Sequence, residues 1–147
     1  MLVWNTRTGP VGAVNGYLWS KGKVWLTAAA ERANRLAALE RDPRVTVVVS
    51  SRGLDLPPHF SPRQLVSSSV SIRGRCEILK DDATRRWFLK ETQKKRFPDN
   101  EAQQQAMVEM LDEPTRYILC VTPEKFTSLH SAEYMDDVYR PALDSVG

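Results

Sequence analysis

One long alternating segment constrains the fold of this chain more than any other feature. Over residues 66–78 apolar and polar side chains alternate, which is the pattern of a strand with one buried face. The apolar face holds Val66, Val70, Ile72, Gly74, Cys76 and Ile78. The polar face holds Ser67, Ser69, Ser71, Arg73, Arg75 and Glu77. Gly74 inside the run predicts a bulge or bend, which a sheet needs in order to close into a barrel.

The remaining segments predict more hairpins than helices. Strands are expected at residues 2–5, 11–19, 23–28, 45–51, 117–122 and 126–129, with turns at RTGP and SKG. A short helix follows the third strand and ends before Pro43, and two helices precede the last strands, one ending at Pro98 and one over about 101–111. Residues 52–63 hold three prolines and are expected to form a loop. These elements predict a mainly β domain over residues 1–133, a small antiparallel barrel, and a C-terminal tail over 134–147.

Composition excludes several classes of protein. The 147 residues carry 21 basic and 18 acidic side chains, so the net charge of +3 only weakly suggests nucleic acid. No apolar run approaches the 18 or so residues that a membrane helix needs, and no signal peptide is visible, so a cytoplasmic protein without membrane contact is expected. Cys76 and Cys120 are far apart and have no nearby histidine, which predicts buried thiols and no metal site.

The stretch ERANRLAALERDPRV raises a question about two arginines. Arg32 and Arg35 stand at the start of the short helix, where the helix dipole disfavours cations. With 100° per residue, Leu36 and Leu39 define the buried direction, and both arginines fall near its border. Guanidinium groups beside free helix N–H groups form a phosphate site. The alternative, equally supported at this stage, is an ion pair between Glu31 and Arg35, with Arg32 in solvent.

The order GKVWLT, a short basic helix, LERDPRVTVVV and VSIRGRCEIL resembles the pyridoxamine 5′-phosphate oxidase-like family. The resemblance covers about residues 8–82 and, more weakly, RYILCVTPEKFTSL. It implies a six- to seven-stranded split β-barrel that binds FMN or, alternatively, the deazaflavin F420. It also implies that Thr27, at the end of the third strand, holds the cofactor phosphate together with Arg35 or Arg32, with Asn34 beside them.

The isoalloxazine ring of a flavin needs a flat, partly apolar slot. Trp19 and Trp25 are candidates for this slot, although ordinary barrel packing is the more common role for either residue alone. The flavin itself would carry the hydride chemistry, and protein groups would orient it. No catalytic acid–base pair is therefore assigned.

The resemblance implies an oxidoreductase that acts on a small-molecule substrate, with its cofactor at a homodimer interface. Arg73 and Arg75, which share the polar strand face, are expected to meet either a partner subunit or a ligand. A second hypothesis is a non-catalytic split barrel that carries flavin or binds haem. A nucleic-acid-binding barrel ranks third, because no basic stripe accompanies the aromatic residues.

Overall fold

The computed structural model describes residues 1–29, 33–50 and 68–130 and has the predicted mixture of many strands and few helices. In chain order its elements are β1 (Leu2–Thr6), β2 (Gly9–Ala13), β3 (Leu18–Ser20), β4 (Lys23–Ala29), α1 (Ala33–Arg41), β5 (Arg44–Ser50), β6 (Ser68–Leu79), α2 (Asp82–Arg96), α3 (Glu101–Leu111) and β7 (Arg116–His130). The expected loop at 52–63 and the tail from 134 lie outside the described residues.

The seven strands form one antiparallel sheet in the order β2-β1-β5-β6-β7-β4-β3. This arrangement confirms the mainly β, split-barrel prediction. The prediction of one strand over 11–19 is wrong, because β2 and β3 lie at opposite edges of the sheet and residues 14–17 connect them. Asn15 and Gly16 interrupt the apolar run, and the chain crosses there from one edge of the split to the other. The two predicted final strands are one strand, β7.

A bulge allows β7 to continue across the predicted gap. Arg73 is opposite Lys125 while Gly74 is opposite Pro123, so Glu124 is the extra residue on β7. A β-carbon on Gly74 would lie 2.2 Å from the carbonyl oxygen of Thr122, so only glycine fits there. The bulge predicted from Gly74 is confirmed.

Two hydrophobic cores lie on the two sides of the barrel wall. The interior core takes alternate residues from β1, β4, β5, β6 and β7, and α1 packs into it through Leu36 and Leu39, as predicted. The second core lies between α2, α3 and the outer surface of β3, β4 and the start of β7. Both cysteines are buried as free thiols. Burial raises the pKa of the Cys76 thiol to about 12, even though the charge of Arg35 acts in the opposite direction.

The helical pair is stabilised by N-caps and by a buried cation. Asp81 is the N-cap of α2 and accepts a 2.8 Å hydrogen bond from the backbone N–H of Thr84. The Arg85 side chain is only 3% exposed and pairs with Asp112, just after α3, at 2.7 Å. This ion pair joins the two helices. No helix in the described part of the chain is long and apolar enough to span a membrane.

Candidate functional site

Thr27 lies near the end of β4, where a cation from β7 reaches it. Leu26 and Ala28 point into the interior core, so the side chain of Thr27 points to the opposite side of the barrel wall. Its hydroxyl oxygen accepts a hydrogen bond of 3.4 Å from an Nη of Arg116. Arg116 is itself fixed, because its Nε donates to the carbonyl oxygen of Leu111 at the end of α3 over 2.8 Å.

This pair leaves donors for an anion. An arginine has five N–H groups, and Arg116 uses two of them in hydrogen bonds within the described structure. The Thr27 hydroxyl accepts from Arg116, so its own proton can be donated outward. The Arg116 side chain is 22% exposed, and the exposed carboxylate of Glu113 lies 3.9 Å from its second Nη. Hydroxyl and guanidinium donors suit a phosphate oxygen, while Glu113 reduces the positive potential nearby.

Arg116 was not among the site residues predicted from the sequence. The residue is 89 positions away from Thr27 in the chain, and only the antiparallel pairing of β4 with β7 brings them together. The available signal was an arginine immediately before the strand predicted over 117–122, in RYILCVT. Arg116 is the first residue of β7, an internal strand, and its side chain remains partly accessible there.

The structure places Arg35 in a different environment from the one that the helix geometry suggested. Its side chain is buried, with 6% exposure, and its guanidinium lies 4.9 Å from the ring centroid of Trp4 in the interior core. Arg35 and the Thr27 hydroxyl therefore lie on opposite sides of the barrel wall. Asn34 is exposed, whereas Arg32 and Glu31 fall outside the described residues. The phosphate role of these helix residues stays a prediction.

The two candidate tryptophans have different surroundings. Trp25 is buried against α2, its ring centroid 4.7 Å from that of Trp87, and its indole N–H donates to the carbonyl oxygen of Ser20 at 2.8 Å. This position agrees with the packing alternative for Trp25. Trp19 is 46% exposed and meets the ring of Phe126 edge-on at 6.2 Å between centroids. Phe126 was not among the residues predicted for the slot.

Exposed apolar side chains surround the connection between β2 and β3. Val14 is 90% exposed, and Tyr17, Trp19 and Phe126 are each exposed by 40% or more. Asn15, in the same connection, donates to the backbone carbonyl of Thr27 at 3.3 Å and links this region to the Thr27–Arg116 pair. Trp19 and Phe126 are paired with Val24 and Ile72 of the interior core, so their rings lie on the opposite face of the sheet from the Thr27 side chain. The hydrogen bond from Asn15 joins the two regions through the backbone.

Solved structures share this architecture at low sequence identity. A conserved hypothetical protein from Mycobacterium tuberculosis superposes with a TM-score of 0.67 and 18% identity, over 86% of this chain and 73% of that chain. An FAD-binding protein from Mesorhizobium loti gives a TM-score of 0.55 and 16% identity, over 88% and 83%. A structure described as an F420 reductase gives 0.54 and 20%, over 86% of each chain.

Sequence comparison gives a more specific result than these superpositions. No curated protein sequence gives a significant match to this chain. The sequence profile of the family described as pyridoxamine 5'-phosphate oxidase matches residues 5–130, which include every described strand and helix apart from the first residues of β1. The chain therefore belongs to the pyridoxamine 5'-phosphate oxidase family of split barrels.

Proposed function

We propose that this protein is an oxidoreductase that uses FMN or the deazaflavin F420, bound between two copies of the chain. The observation that carries the proposal is the hydrogen bond from Arg116 to Thr27, the threonine that the family resemblance assigns to the cofactor phosphate. The FAD-binding protein and the F420 reductase with this fold support a flavin-type ligand.

Two separate groups of residues have the chemistry that the two parts of such a cofactor need. Arg116 and the Thr27 hydroxyl would hold the phosphate with charge-assisted hydrogen bonds, which are stronger than bonds between neutral groups. The exposed rings of Trp19 and Phe126 offer an apolar, aromatic surface for the ring system. When bound, the flavin supplies the hydride chemistry, and these residues bind and orient it. The second hypothesis is a non-catalytic carrier, in which the same barrel binds flavin or haem and catalyses no reaction.

A second copy of the chain would complete the slot. The exposed side chains of Val14, Tyr17, Trp19 and Phe126 leave apolar surface of a single subunit open to water. Pairing of this surface in a symmetric dimer would bury it and enclose the ligand. Sedimentation velocity at micromolar concentration with FMN present is expected to show a dimer, and a monomer under those conditions would contradict an interface site.

A comparison of FMN with riboflavin tests the phosphate role directly. The two molecules share the ring, and only FMN carries a phosphate. Hydrogen bonds to charged groups contribute roughly 1.5–3 kcal/mol each, so FMN is expected to bind about tenfold tighter or more in a fluorescence titration. Arg116→Gln and Thr27→Val should remove most of this preference and leave riboflavin binding nearly unchanged. Glu113→Gln should increase it, because a nearby negative charge is removed.

The same titration includes a control variant and can contradict the assigned phosphate site. Arg7→Gln removes a charge from the exposed β1–β2 turn and is expected to have no effect on the preference. Equal binding of FMN and riboflavin, or an unchanged preference in Arg116→Gln, would contradict the assigned phosphate site. For turnover, anaerobic mixing of the FMN-loaded protein with a nicotinamide donor should bleach the flavin absorption band. Binding without bleaching by any hydride donor favours the carrier hypothesis, and a Soret band favours haem.

A further inference from the structure

A groove of about 480 Å³ crosses the outer surface of the sheet over β1, β5, β6 and β7. It lies on the side of the barrel wall that faces away from the interior core, where Val3, Thr46, Arg73 and Lys125 stand in one row of paired residues. Arg73 and Lys125 are both exposed. The bulge at Glu124 lets Glu124 and Lys125 border the groove together, although they are consecutive residues.

The strand register brings cations together on this groove. Arg73 is directly opposite Lys125 on β7 and diagonal to Arg44 on β5, which in turn is directly opposite Arg75. Directly opposed side chains in an antiparallel pair lie about 5 Å apart at their β-carbons, and like charges there repel. This pairing of like charges destabilises the folded sheet unless negatively charged groups lie beside it.

The described residues supply only part of that charge. Arg44 pairs with Asp42 at 2.8 Å, and Arg75 pairs with Glu124 at 3.0 Å. Arg73 and Lys125 make no ion pair within residues 1–29, 33–50 and 68–130. Two adjacent positive charges, the planar guanidinium of Arg73 and the ammonium group of Lys125, therefore face the groove. Neither has a counter-ion among the described residues.

We propose that this groove binds a small polyanion whose charged groups are phosphates or carboxylates. The Arg73 guanidinium can bind one such group through two parallel hydrogen bonds, and Lys125 adds a positive charge beside it. The groove volume falls within the range of about 300–1,000 Å³ that is typical of small-molecule sites. A nucleic-acid strand is disfavoured, because Glu124 and Asp42 interrupt the positive surface that a phosphate backbone follows. The proposal does not depend on flavin binding.

Thermal unfolding of the flavin-free protein with pyrophosphate or citrate tests the groove. A ligand that binds only the folded state raises Tm, by on the order of 5–10 °C at about a hundredfold excess over Kd. Arg73→Gln and Lys125→Gln should each weaken binding about tenfold or more. Without ligand, both variants should unfold at or slightly above the wild-type Tm, because they remove a repulsion. A purely structural role for Arg73 would instead lower that Tm.

A charge control separates the site from general electrostatics. Lys90→Gln removes the same unit charge from the exposed face of α2 and should leave the ligand-induced shift unchanged. A stronger response to pyrophosphate than to citrate identifies phosphate as the preferred group, and the reverse order identifies carboxylate. The proposal is overturned if neither anion shifts Tm, if Arg73→Gln responds like wild type, or if single-stranded DNA binds through Arg73 more tightly than either anion. FMN and riboflavin titrations of Arg73→Gln should match wild type, so failure here is distinguishable from failure of the flavin site.

Discussion

Replacement of Gly74 by alanine tests the close approach of β6 and β7 at the bulge. The added β-carbon would lie 2.2 Å from the Thr122 carbonyl oxygen and 3.0 Å from the carbonyl carbon. Even a weak C–H···O contact needs roughly 3.3 Å between carbon and oxygen, so the overlap is about 1 Å. The clashing atoms belong to backbone, and no side chain can rotate away to relieve the contact. The two strands must therefore separate locally.

The magnitude follows from two opposing effects. Overpacking typically costs about 1–3 kcal/mol, and a backbone clash of this size belongs at or above the upper end. Alanine also restricts the unfolded chain, which offsets about 0.4–1 kcal/mol. We expect the free energy of unfolding to fall by about 2–3 kcal/mol, which corresponds to a Tm decrease of roughly 8–12 °C for a domain of this size.

Urea and thermal unfolding, each compared with a matched glycine variant, provide the assay. Gly16→Ala is the control, because nothing lies within 4 Å of its added β-carbon and its backbone angle does not require glycine. This control should be neutral or stabilised by up to about 1 kcal/mol. An unchanged urea m-value would show that both variants still unfold in one transition. If Gly74→Ala unfolds within about 0.5 kcal/mol of wild type, the bulge is adaptable and the steric reasoning is wrong.

Two further predictions concern the cores and the helical pair. Leu119 is fully buried in the interior core, so Leu119→Ala should lower the free energy of unfolding by about 2–5 kcal/mol in urea titrations, and a loss below 1 kcal/mol would contradict its placement. Hydrogen bonds from Arg85 and Arg86 hold the pKa of Asp112 below its usual value, so this carboxylate stabilises the fold above pH 4 or so and the contribution is lost as the pH falls further. Asp112→Asn should therefore unfold more easily at pH 7 and show a flatter acid dependence, whereas parallel acid curves for the two proteins would contradict the linkage.

Local sequence patterns predicted much of the barrel, because they reflect the conformational preferences of neighbouring residues. Alternation over β6 placed Ile72 and Cys76 inside and Arg73 and Arg75 outside, because side chains on a strand alternate between its faces whatever the partner strand is. Gly74 predicted the bulge because a missing side chain permits close approach of a second backbone. Pro98 similarly predicted the end of α2 within two residues, and the range of about 101–111 predicted for α3 is the one observed. These features depend on neighbouring residues only.

The tertiary structure alone decided which side chains meet. The run over 11–19 was locally suited to one strand, but the sheet assigns its halves to opposite edges. Arg35 was expected at the border of the core and lies inside it against Trp4, because α1 packs into the barrel end.

By itself, the sequence determined the strand faces, the bulge and the helix limits, since each arises from the conformational preferences of adjacent residues. The family resemblance also came from the sequence, through the order of its segments. Only the tertiary structure joined Thr27 to Arg116, 89 residues away, and set Arg73 opposite Lys125 across a shifted register. Strand pairing fixes such contacts, and it depends on the closure of long loops and the burial of both cores together. No local pattern contains that information, which is why the proposed binding surfaces emerged only from the folded chain.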